Sequence, residues 1–355
     1  MKIIHVSNFS SRKQGRNFYS IEHKLSNGFI RLGHFVYEFS DRDEASRNMF
    51  RVRELGVRRA NRHLLEACRN VKPDLVVLGH CSLITPDTIE AVRREGGGEI
   101  RIAHWNCDAL FTPKNLERLK ALAPLVDITC VTTAGDYLGQ VVERGGRASY
   151  MPNPVDSAVE NIRAFERTEK TDLVFLSGRD DVYRRKVCEA IRQGAEGLKF
   201  EVRGLFGAPS LYGAGYFDFL ALANMGLNLS ARDDVYLYSS DRMVQLMGCG
   251  LLTFLDRRTG FGDIFGPDEI ALFENIDDLV DKVRFFASHD AERKKVARSG
   301  WARIHRIFNE RLVAQWIVDL AFERPASHAY EWPLDIVSGP KTALTRAVEG
   351  SRMAD

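Results

Sequence analysis

Residues 239–256 read SSDRMVQLMGCGLLTFLD, a stretch in which a short helix leads into a buried strand. The serines at its start are favoured helix caps, and the glycines near its end are typical of a helix terminus. The mostly apolar run LLTFLD that follows is typical of a strand covered on both faces. This stretch therefore predicts one helix–strand step of a parallel α/β sheet.

The same alternation of strands and helices extends through the whole chain. Further strands are predicted at residues 2–9, 34–40, 74–80, 100–106, 128–134, 148–154, 172–178, 199–207 and 225–230. Helices are predicted at residues 19–32, 86–95, 184–194 and 276–289, with a last long helix over 291–322. Short apolar runs that alternate with helices predict parallel sheets covered by helices on both faces.

The pattern pauses at residues 151–172, where Pro152 and Pro154 precede a charged stretch. Proline blocks the continuation of a strand or a helix, so the sequence predicts a linker over residues 156–171. It would separate an N-terminal Rossmann-like acceptor domain (1–155) from a C-terminal Rossmann-like donor domain (172–308). A C-terminal helix and tail (309–355) are expected to pack back on the N-terminal domain. The predicted fold class is α/β, with two parallel-sheet domains facing a central cleft that holds the ligand.

Composition excludes several classes of protein. A net charge of +2, from 50 Lys and Arg against 48 Asp and Glu, predicts no nucleic-acid partner. No run approaches the about 20 apolar residues that span a bilayer. The six scattered cysteines suit a reducing compartment, and the first residues lack the pattern of a signal peptide. We therefore expect a cytoplasmic protein.

Basic residues are concentrated between Arg42 and Arg69. Arg47, Arg51, Arg53, Arg58, Arg59 and Arg62 lie within this segment. One interpretation is a solvated helix face. The other is peripheral contact with an anionic membrane, or with an acceptor phosphate.

The segment after strand 172–178 favours phosphate over a nicotinamide cofactor. Neither half of the chain has the glycine-rich fingerprint of a dehydrogenase. Residues 179–186, RDDVYRRK, instead offer positive charge beside Gly178 at the end of a strand. Arg179 and Arg184 are predicted to bind a donor diphosphate at a helix start. The alternative for Arg184 and its two basic neighbours is that they are solvent-exposed surface residues without a binding role.

A second donor segment is the short helix after Ser239. The turn Ser239–Ser240–Asp241 is expected to present free amides to a pyrophosphate. Arg242 and Gln245 lie three residues apart and share one helical face. Gln245 is placed to bond a ribose hydroxyl.

Residues 239–265 and 269–300 carry a family resemblance. The order is an arginine, the pair Val244-Gln245 where the family usually has Phe-Glu, a small-Cys-Gly turn, a strand, a glycine-containing loop, an acidic helix and a further helix ending at a glycine. This order resembles the C-terminal lobe of CgeB-like glycosyltransferases (glycosyl transferases group 1) of the GT-B superfamily, over about residues 173–321. The resemblance implies the GT-B fold and an enzyme of the hexosyltransferase class in polysaccharide biosynthesis. Its co-substrate would be a UDP- or GDP-sugar, with no other cofactor.

One residue departs from the family pattern. Gln245 stands where the family usually has a glutamate that holds the donor ribose. Two alternatives to transfer onto a glycan, glycolipid or protein acceptor therefore stay open. One is a catalytically silent nucleotide-binding scaffold, and the other is a sugar-nucleotide epimerase or hydrolase.

The acceptor side is expected in the N-terminal half. Residues 104–113, HWNCDALFTP, follow a predicted strand and contain His104 and Asp108, either of which can act as a base. The resemblance supports Asp108, although a retaining mechanism needs no protein base. The loop 7–17 supplies further contacts to donor or acceptor, namely Arg12, Lys13, Gly15 and Arg16. No DxD element follows a strand as a metal–diphosphate bridge requires, so a metal-independent reaction is expected.

Overall fold

The computed structural model describes residues 1–47, 53–167 and 171–340. The chain forms two compact units. Unit 1 contains Met1–Pro152 and the chain from Glu310 onward, and unit 2 contains Asn153–Asn309. The sequence predicted domain limits at residues 155 and 308. Among the described helices, none is long and apolar enough to cross a membrane.

Twelve strands are named in chain order. They are β1 (Lys2–Ser7), β2 (Phe35–Ser40), β3 (Leu75–Leu78), β4 (Arg101–Asn106), β5 (Ile128–Val131), β6 (Arg147–Tyr150), β7 (Thr171–Leu176), β8 (Phe200–Arg203), β9 (Ala223–Leu227), β10 (Leu252–Asp256), β11 (Ala271–Phe273) and β12 (Ile336–Ser338).

The α-helices are named in the same way. They are α1 (Ile21–Arg31), α2 (Asp41–Ser46), α3 (Arg53–Val71), α4 (Pro86–Glu95), α5 (Pro113–Leu122), α6 (Tyr137–Val141), α7 (Val182–Gly194), α8 (Ala214–Leu220), α9 (Arg242–Gly248), α10 (Ile276–Ser288), α11 (Asp290–Ile307) and α12 (Glu310–Ala321).

The sheet of unit 1 has the strand order β12-β6-β5-β4-β3-β1-β2. Strands β1 to β6 pair in parallel, and β12 runs antiparallel to β6. Four residues of β3 are fully covered, which explains the continuous apolar run LVVL. The strand order reverses direction at β1, so the carboxyl ends of β1 and β3 flank a topological switch point, where open α/β sheets bind ligands.

The sheet of unit 2 repeats this arrangement with five strands. Its order is β11-β10-β9-β7-β8, and every pair is parallel. The switch point of unit 2 therefore lies between the carboxyl ends of β7 and β9. The predicted α/β class, with a parallel sheet in each half, is confirmed.

Helix α12 belongs to unit 1, where it packs against α1. A Cβ atom on Gly28 of α1 would lie 2.2 Å from the carbonyl oxygen of Glu310, so only glycine allows this approach. Arg31 also donates a hydrogen bond of 2.6 Å to the buried Glu310 carboxylate. These contacts fix the C-terminal helix to the first helix of the chain.

The structure differs from the sequence prediction at two segments. The long helix predicted over 291–322 is two helices, α11 and α12, because the chain leaves the helix at Phe308 and Asn309. The Phe308 carbonyl accepts the amide of Val155, and the Asn309 side chain bonds the Arg306 carbonyl. Residues 156–167 of the predicted linker belong to unit 2, where Asp156, Glu160 and Phe165 among others are buried. Residues 168–170 of that linker and 341–355 of the predicted tail lie outside the described residues.

Candidate active site

Arg184 lies at the switch point of unit 2 because of its place in α7. The buried residues Arg184, Val187 and Ile191 recur at helical spacing and share the inner face of this helix. Asp181 caps the helix by accepting the Arg184 amide at 2.9 Å, and it also pairs with the guanidinium at 2.8 Å. The other end of the guanidinium donates to the Leu229 carbonyl, 3.2 Å away, just after β9.

Arg242 reaches the same carbonyl from α9. Its Nη1 donates to the Leu229 oxygen at 3.1 Å and to the Asn228 side chain at 3.3 Å. The guanidinium lies 5.1 Å from the ring centre of Phe175. Burial, together with the positive charge of Arg184, lowers the pKa of Arg242 to about 10. Two guanidinium groups therefore meet at one neutral acceptor.

Two donor atoms at this point have no acceptor within the described part of the chain. The Nε of Arg184 and the Nδ2 of Asn228 are buried without a hydrogen-bond partner. Buried donors without partners carry a desolvation cost of about 1–3 kcal/mol each. An anion placed here would satisfy them and neutralise the guanidinium pair.

The Ser239–Ser240–Asp241 turn lies beside these groups, and one of its backbone amides already donates a hydrogen bond within the protein. The Ser240 amide donates to Ser230 Oγ at 3.2 Å, and the Ser240 hydroxyl donates to the Asn228 side chain at 3.0 Å. The Ser239 hydroxyl donates to the Ser240 carbonyl. The expectation of free amides is therefore wrong for Ser240, because Ser230 takes its N–H.

Gln245 is held at both ends of its amide. Tyr216 donates its hydroxyl to Oε1 at 2.6 Å, and Nε2 donates to the Asp241 carboxylate at 2.5 Å. The side chain is buried, as are all residues of α9 after Arg242. A glutamate at this position would set two carboxylates against each other.

Gly178 and Arg179 follow β7 and are exposed. Nothing lies within 4 Å of a Cβ placed on Gly178, so the chain is open at this point. Arg179 is held through its backbone, whose amide donates to Ser177 Oγ at 3.1 Å. Arg185 and Lys186 are also exposed, and Arg185 pairs with Asp180. Of the predicted basic residues on α7, only Arg184 joins Arg242.

Asp108 follows β4 at the carboxyl edge of the sheet in unit 1. Its backbone amide donates to the Asn106 side chain at 2.9 Å, which fixes the turn. One carboxylate oxygen accepts from Arg118 at 3.2 Å, and the other lies 3.7 Å from His80 Nε2. The Asp108 side chain is 39% exposed, so it remains accessible to a substrate hydroxyl.

His104 lies within β4 and is almost fully buried. Burial lowers the pKa of His104 to about 3, so the ring is neutral at physiological pH. Its Nδ1 is buried without a hydrogen-bond partner among the described residues. His104 is thus a core residue in this structure, whereas Asp108 lies at the sheet edge.

Sequence reasoning missed His80, which follows β3 at the switch point of unit 1. Its Nδ1 lies 3.0 Å from Glu22, and its Nε2 lies 3.4 Å from the Cys107 sulfur. The signal was available, since LGH closes a buried strand at residues 78–80. The partners of His80 come from distant parts of the chain, and local sequence gave no indication of them.

The loop after β1 carries the remaining predicted contacts. Arg12, Lys13, Gly15 and Arg16 are all exposed, and Gly15 has a φ of 81° with open space around its Cβ position. The amide of Ser11 donates to the Asp43 carboxylate at 2.8 Å, which connects the loop to α2. Asp41 and Asp43, the formal DxD pair, lie in α2, and Asp41 accepts the Leu83 amide at 3.0 Å. Their carboxylates thus bind backbone amides of unit 1.

The fold is that of the GT-B glycosyltransferases. Sucrose-phosphate synthase from Thermosynechococcus elongatus is 12% identical, with 91% of this chain and 98% of that chain covered at a TM-score of 0.60. AviGT4, a glycosyltransferase involved in avilamycin A biosynthesis, is 14% identical, with 90% and 97% covered at a TM-score of 0.58. Anabaena HepE, solved with UDP and glucose, is 12% identical, with 91% and 100% covered at a TM-score of 0.55.

A family model described as glycosyl transferase-like matches residues 179–318, which include Arg184, Arg242 and Gln245. No curated protein matches the sequence. The match over residues 179–318 and the shared GT-B fold make the chain similar to glycosyltransferases of the GT-B superfamily. Its placement among the CgeB-like proteins stays a prediction.

Proposed function

We propose that the protein transfers a hexose from a nucleotide-sugar donor to an acceptor hydroxyl, without a metal ion. The observation that carries this proposal is the pair Arg184 and Arg242, which share the Leu229 carbonyl beside the unpartnered Nδ2 of Asn228. A diphosphate supplies acceptor atoms for these donors and negative charge beside Arg242, whose acceptors here are neutral, whereas Arg184 already pairs with Asp181. The GT-B neighbour HepE was solved with UDP, which supports a UDP- or GDP-sugar here.

In the proposed reaction, the acceptor oxygen attacks the anomeric carbon and the bond to the diphosphate breaks. The leaving diphosphate keeps the bonding electron pair, and the two guanidinium groups stabilise its charge. Asp108 of unit 1 takes the acceptor proton as general base. Its exposure and its position after β4 support this role, whereas the low pKa of His104 argues against that histidine.

Calorimetric titration with UDP, GDP, ADP and their sugars tests the donor site, with Mg²⁺ or with EDTA. We expect micromolar binding of one nucleoside diphosphate that is unchanged by EDTA. Loss of binding in EDTA would contradict metal independence, and no binding to any nucleotide would contradict the donor site. Binding without transfer would favour the silent scaffold, and hydrolysis without an acceptor would favour the hydrolase.

For the acceptor, we propose a glycan, lipid-linked glycan or protein of polysaccharide biosynthesis, modified in the cytoplasm at an anionic membrane. Arg58, Arg62 and Arg69 on α3 are exposed and support this contact, although Glu54 and Glu66 are exposed on the same helix. Arg51 of the predicted basic segment lies outside the described residues. Co-sedimentation with phosphatidylserine vesicles tests the contact. Binding that persists after Arg58→Glu and Arg62→Glu would contradict it.

A further inference from the structure

The ring of His80 lies between two carboxylates in unit 1. Its Nδ1 is 3.0 Å from Oε1 of Glu22, and its Nε2 is 3.7 Å from Oδ1 of Asp108. Arg118 bonds the other oxygen of Asp108 at 3.2 Å. Glu22 is buried in the first turn of α1, whereas Asp108 is partly exposed. The three side chains form a series from a buried acid to an accessible one.

The position of His80 is fixed by the strands around it. Its backbone amide donates to Ser7 Oγ at 3.0 Å, at the end of β1. Its ring lies 5.1 Å from the buried ring of Trp105, which covers one side. A Cβ on Gly79 would lie 2.5 Å from Trp105 and 2.7 Å from Ser7 Oγ, so glycine is needed for the turn to fit. The ring therefore has little freedom to leave the two carboxylates.

The contacts favour the doubly protonated form of the ring. A neutral imidazole has one N–H and would turn a lone pair toward one of the two carboxylates. Cys107 and Glu22 raise the pKa of His80 above its ordinary value, although burial opposes this. Burial raises the pKa of Glu22, but the hydrogen bond and charge of His80 outweigh it and lower that pKa to about 2. Glu22 is thus ionised and His80 is a cation at neutral pH.

We propose that His80 is a positioning residue for Asp108, and that Glu22 fixes His80 in its cationic form for this task. The inference rests on the proposed role of Asp108 as the base. His80 and Arg118 each face one oxygen of the carboxylate and set its plane. Each carboxylate oxygen has about two lone-pair sites. Oδ2 accepts from Arg118 at 3.2 Å and from Asn106 at 3.4 Å, so the site left for the acceptor hydroxyl is on Oδ1.

The charged and titratable groups that face His80 come from three elements and the turn after β4. Glu22 lies on α1, His104 on β4, Cys107 and Asp108 in the turn, and Arg118 on α5. Burial raises the pKa of the Cys107 thiol, and its sulfur lies 3.4 Å from Nε2 of His80. Glu22 is the buried carboxylic acid of this group, and together with Cys107 it raises the pKa of His80.

The experiment uses the full chain with ring-labelled histidine, and His80→Asn assigns its signal among the nine histidines. The NMR chemical shift of the labelled His80 ring is followed as the pH is changed. We expect it to stay that of an imidazolium from pH 6 to 9. In Glu22→Gln the same signal should titrate near the ordinary imidazole value of about 6.5. His63→Asn removes another histidine paired with a glutamate, at 2.9 Å, and is the matched control.

Transfer kinetics supply the second readout. At pH 7.5, Glu22→Gln and His80→Asn should lower kcat by at least about 10-fold, with the nucleotide-sugar KM within about 2-fold, because only the base is displaced. At pH 6, Glu22→Gln should regain much of its kcat as His80 becomes charged again, whereas His80→Asn should not. His63→Asn should behave as wild type at both pH values.

Two results overturn the inference alone. One is a wild-type His80 signal that titrates near pH 6.5, and the other is normal kcat in His80→Asn. A wild type that binds nucleotide but transfers no sugar, with His80 still protonated, would overturn the proposed function and with it the role of His80. The two failures are therefore distinguishable.

Discussion

Gln245 donates a hydrogen bond of 2.5 Å to the carboxylate of Asp241, one helical turn before it. The amide is the group that makes this contact favourable, because a carboxylate at residue 245 would face Asp241 with like charge. Gln245, which replaces the usual family glutamate, therefore suits its neighbour Asp241. Tyr216 completes the arrangement by donating to the other end of the amide.

Gln245→Glu should destabilise the fold by about 1–3 kcal/mol at pH 7.5, since the hydrogen bond to Asp241 becomes a repulsion between a buried carboxylate and a partly buried one. The loss should shrink at pH 5, as one of the two carboxyls takes up a proton. Urea unfolding at both pH values measures it. Gln193→Glu, at an exposed position of α7, is the control and should change stability little at either pH.

Arg242→Ala and Arg184→Ala should each weaken binding of the nucleoside diphosphate by about 10- to 100-fold, because each removes a charge-assisted hydrogen bond worth about 1.5–3 kcal/mol. Calorimetry measures the change. Arg185→Ala removes an exposed neighbour that pairs with Asp180, and its affinity should stay within about 2-fold of wild type. Equal affinity in all three variants would remove the pair from the donor site.

Asp108→Asn should lower kcat by at least about 100-fold, because the amide cannot take the acceptor proton. Nucleotide affinity should be unchanged, since the donor contacts lie in unit 2. Single-turnover transfer assays and calorimetry separate the two effects. Glu117→Gln, on the exposed face of α5, should retain normal turnover. Near-normal kcat in Asp108→Asn would point to a mechanism without this base.

Asp41→Asn should change the pH dependence of stability. Burial raises the pKa of Asp41 from 3.8 to about 6, so the folded state holds this proton more tightly than the unfolded chain. Wild-type stability from this group is therefore present at low pH and is lost as the pH rises toward 6. Relative to Asp41→Asn, the wild type should lose about 1–2 kcal/mol between pH 4.5 and 7.5. Chemical unfolding of both proteins at the two pH values measures this. A constant difference would contradict the raised pKa.

Gly28→Ala should destabilise unit 1 by about 1–3 kcal/mol or more, because the added Cβ meets the Glu310 carbonyl at 2.2 Å. Gly139→Ala is the matched control. It adds the same methyl group to a helix at a point where nothing lies within 4 Å. That variant should keep or slightly raise stability, by up to about 1 kcal/mol. Thermal unfolding distinguishes the two, and equal midpoints would mean that α1 shifts to accommodate the methyl.

The sequence predicted the parallel strands well because long apolar runs such as LVVL carry a strong local signal. Short strands carry a weak one. Strand β11 has three residues. Strand β12 pairs with β6, which is distant in sequence, and no local sequence pattern predicts that pairing. The break between α11 and α12 has no proline or glycine at Phe308 and Asn309. It follows from contacts to Val155, which is distant in sequence.

The site was predictable in part. The helical spacing of Arg184, Val187 and Ile191 distinguishes the inward arginine from its exposed neighbours on α7. The local sequence around His80 did not predict its role, because that role depends on Glu22 and Asp108, which lie on other elements. The burial of His104 follows from its register in β4, between Leu78 and Thr129 of the neighbouring strands.

The return of α12 to unit 1 has a consequence for the order of folding during synthesis. Unit 2 is encoded by one continuous segment and can complete its contacts while the ribosome is still translating the C-terminal residues. Unit 1 must wait for Glu310 and the helix that follows it, and until then the face of α1 around Gly28 is bare. We expect a chain truncated after Asn309 to protect unit 2 from protease and to leave unit 1 sensitive.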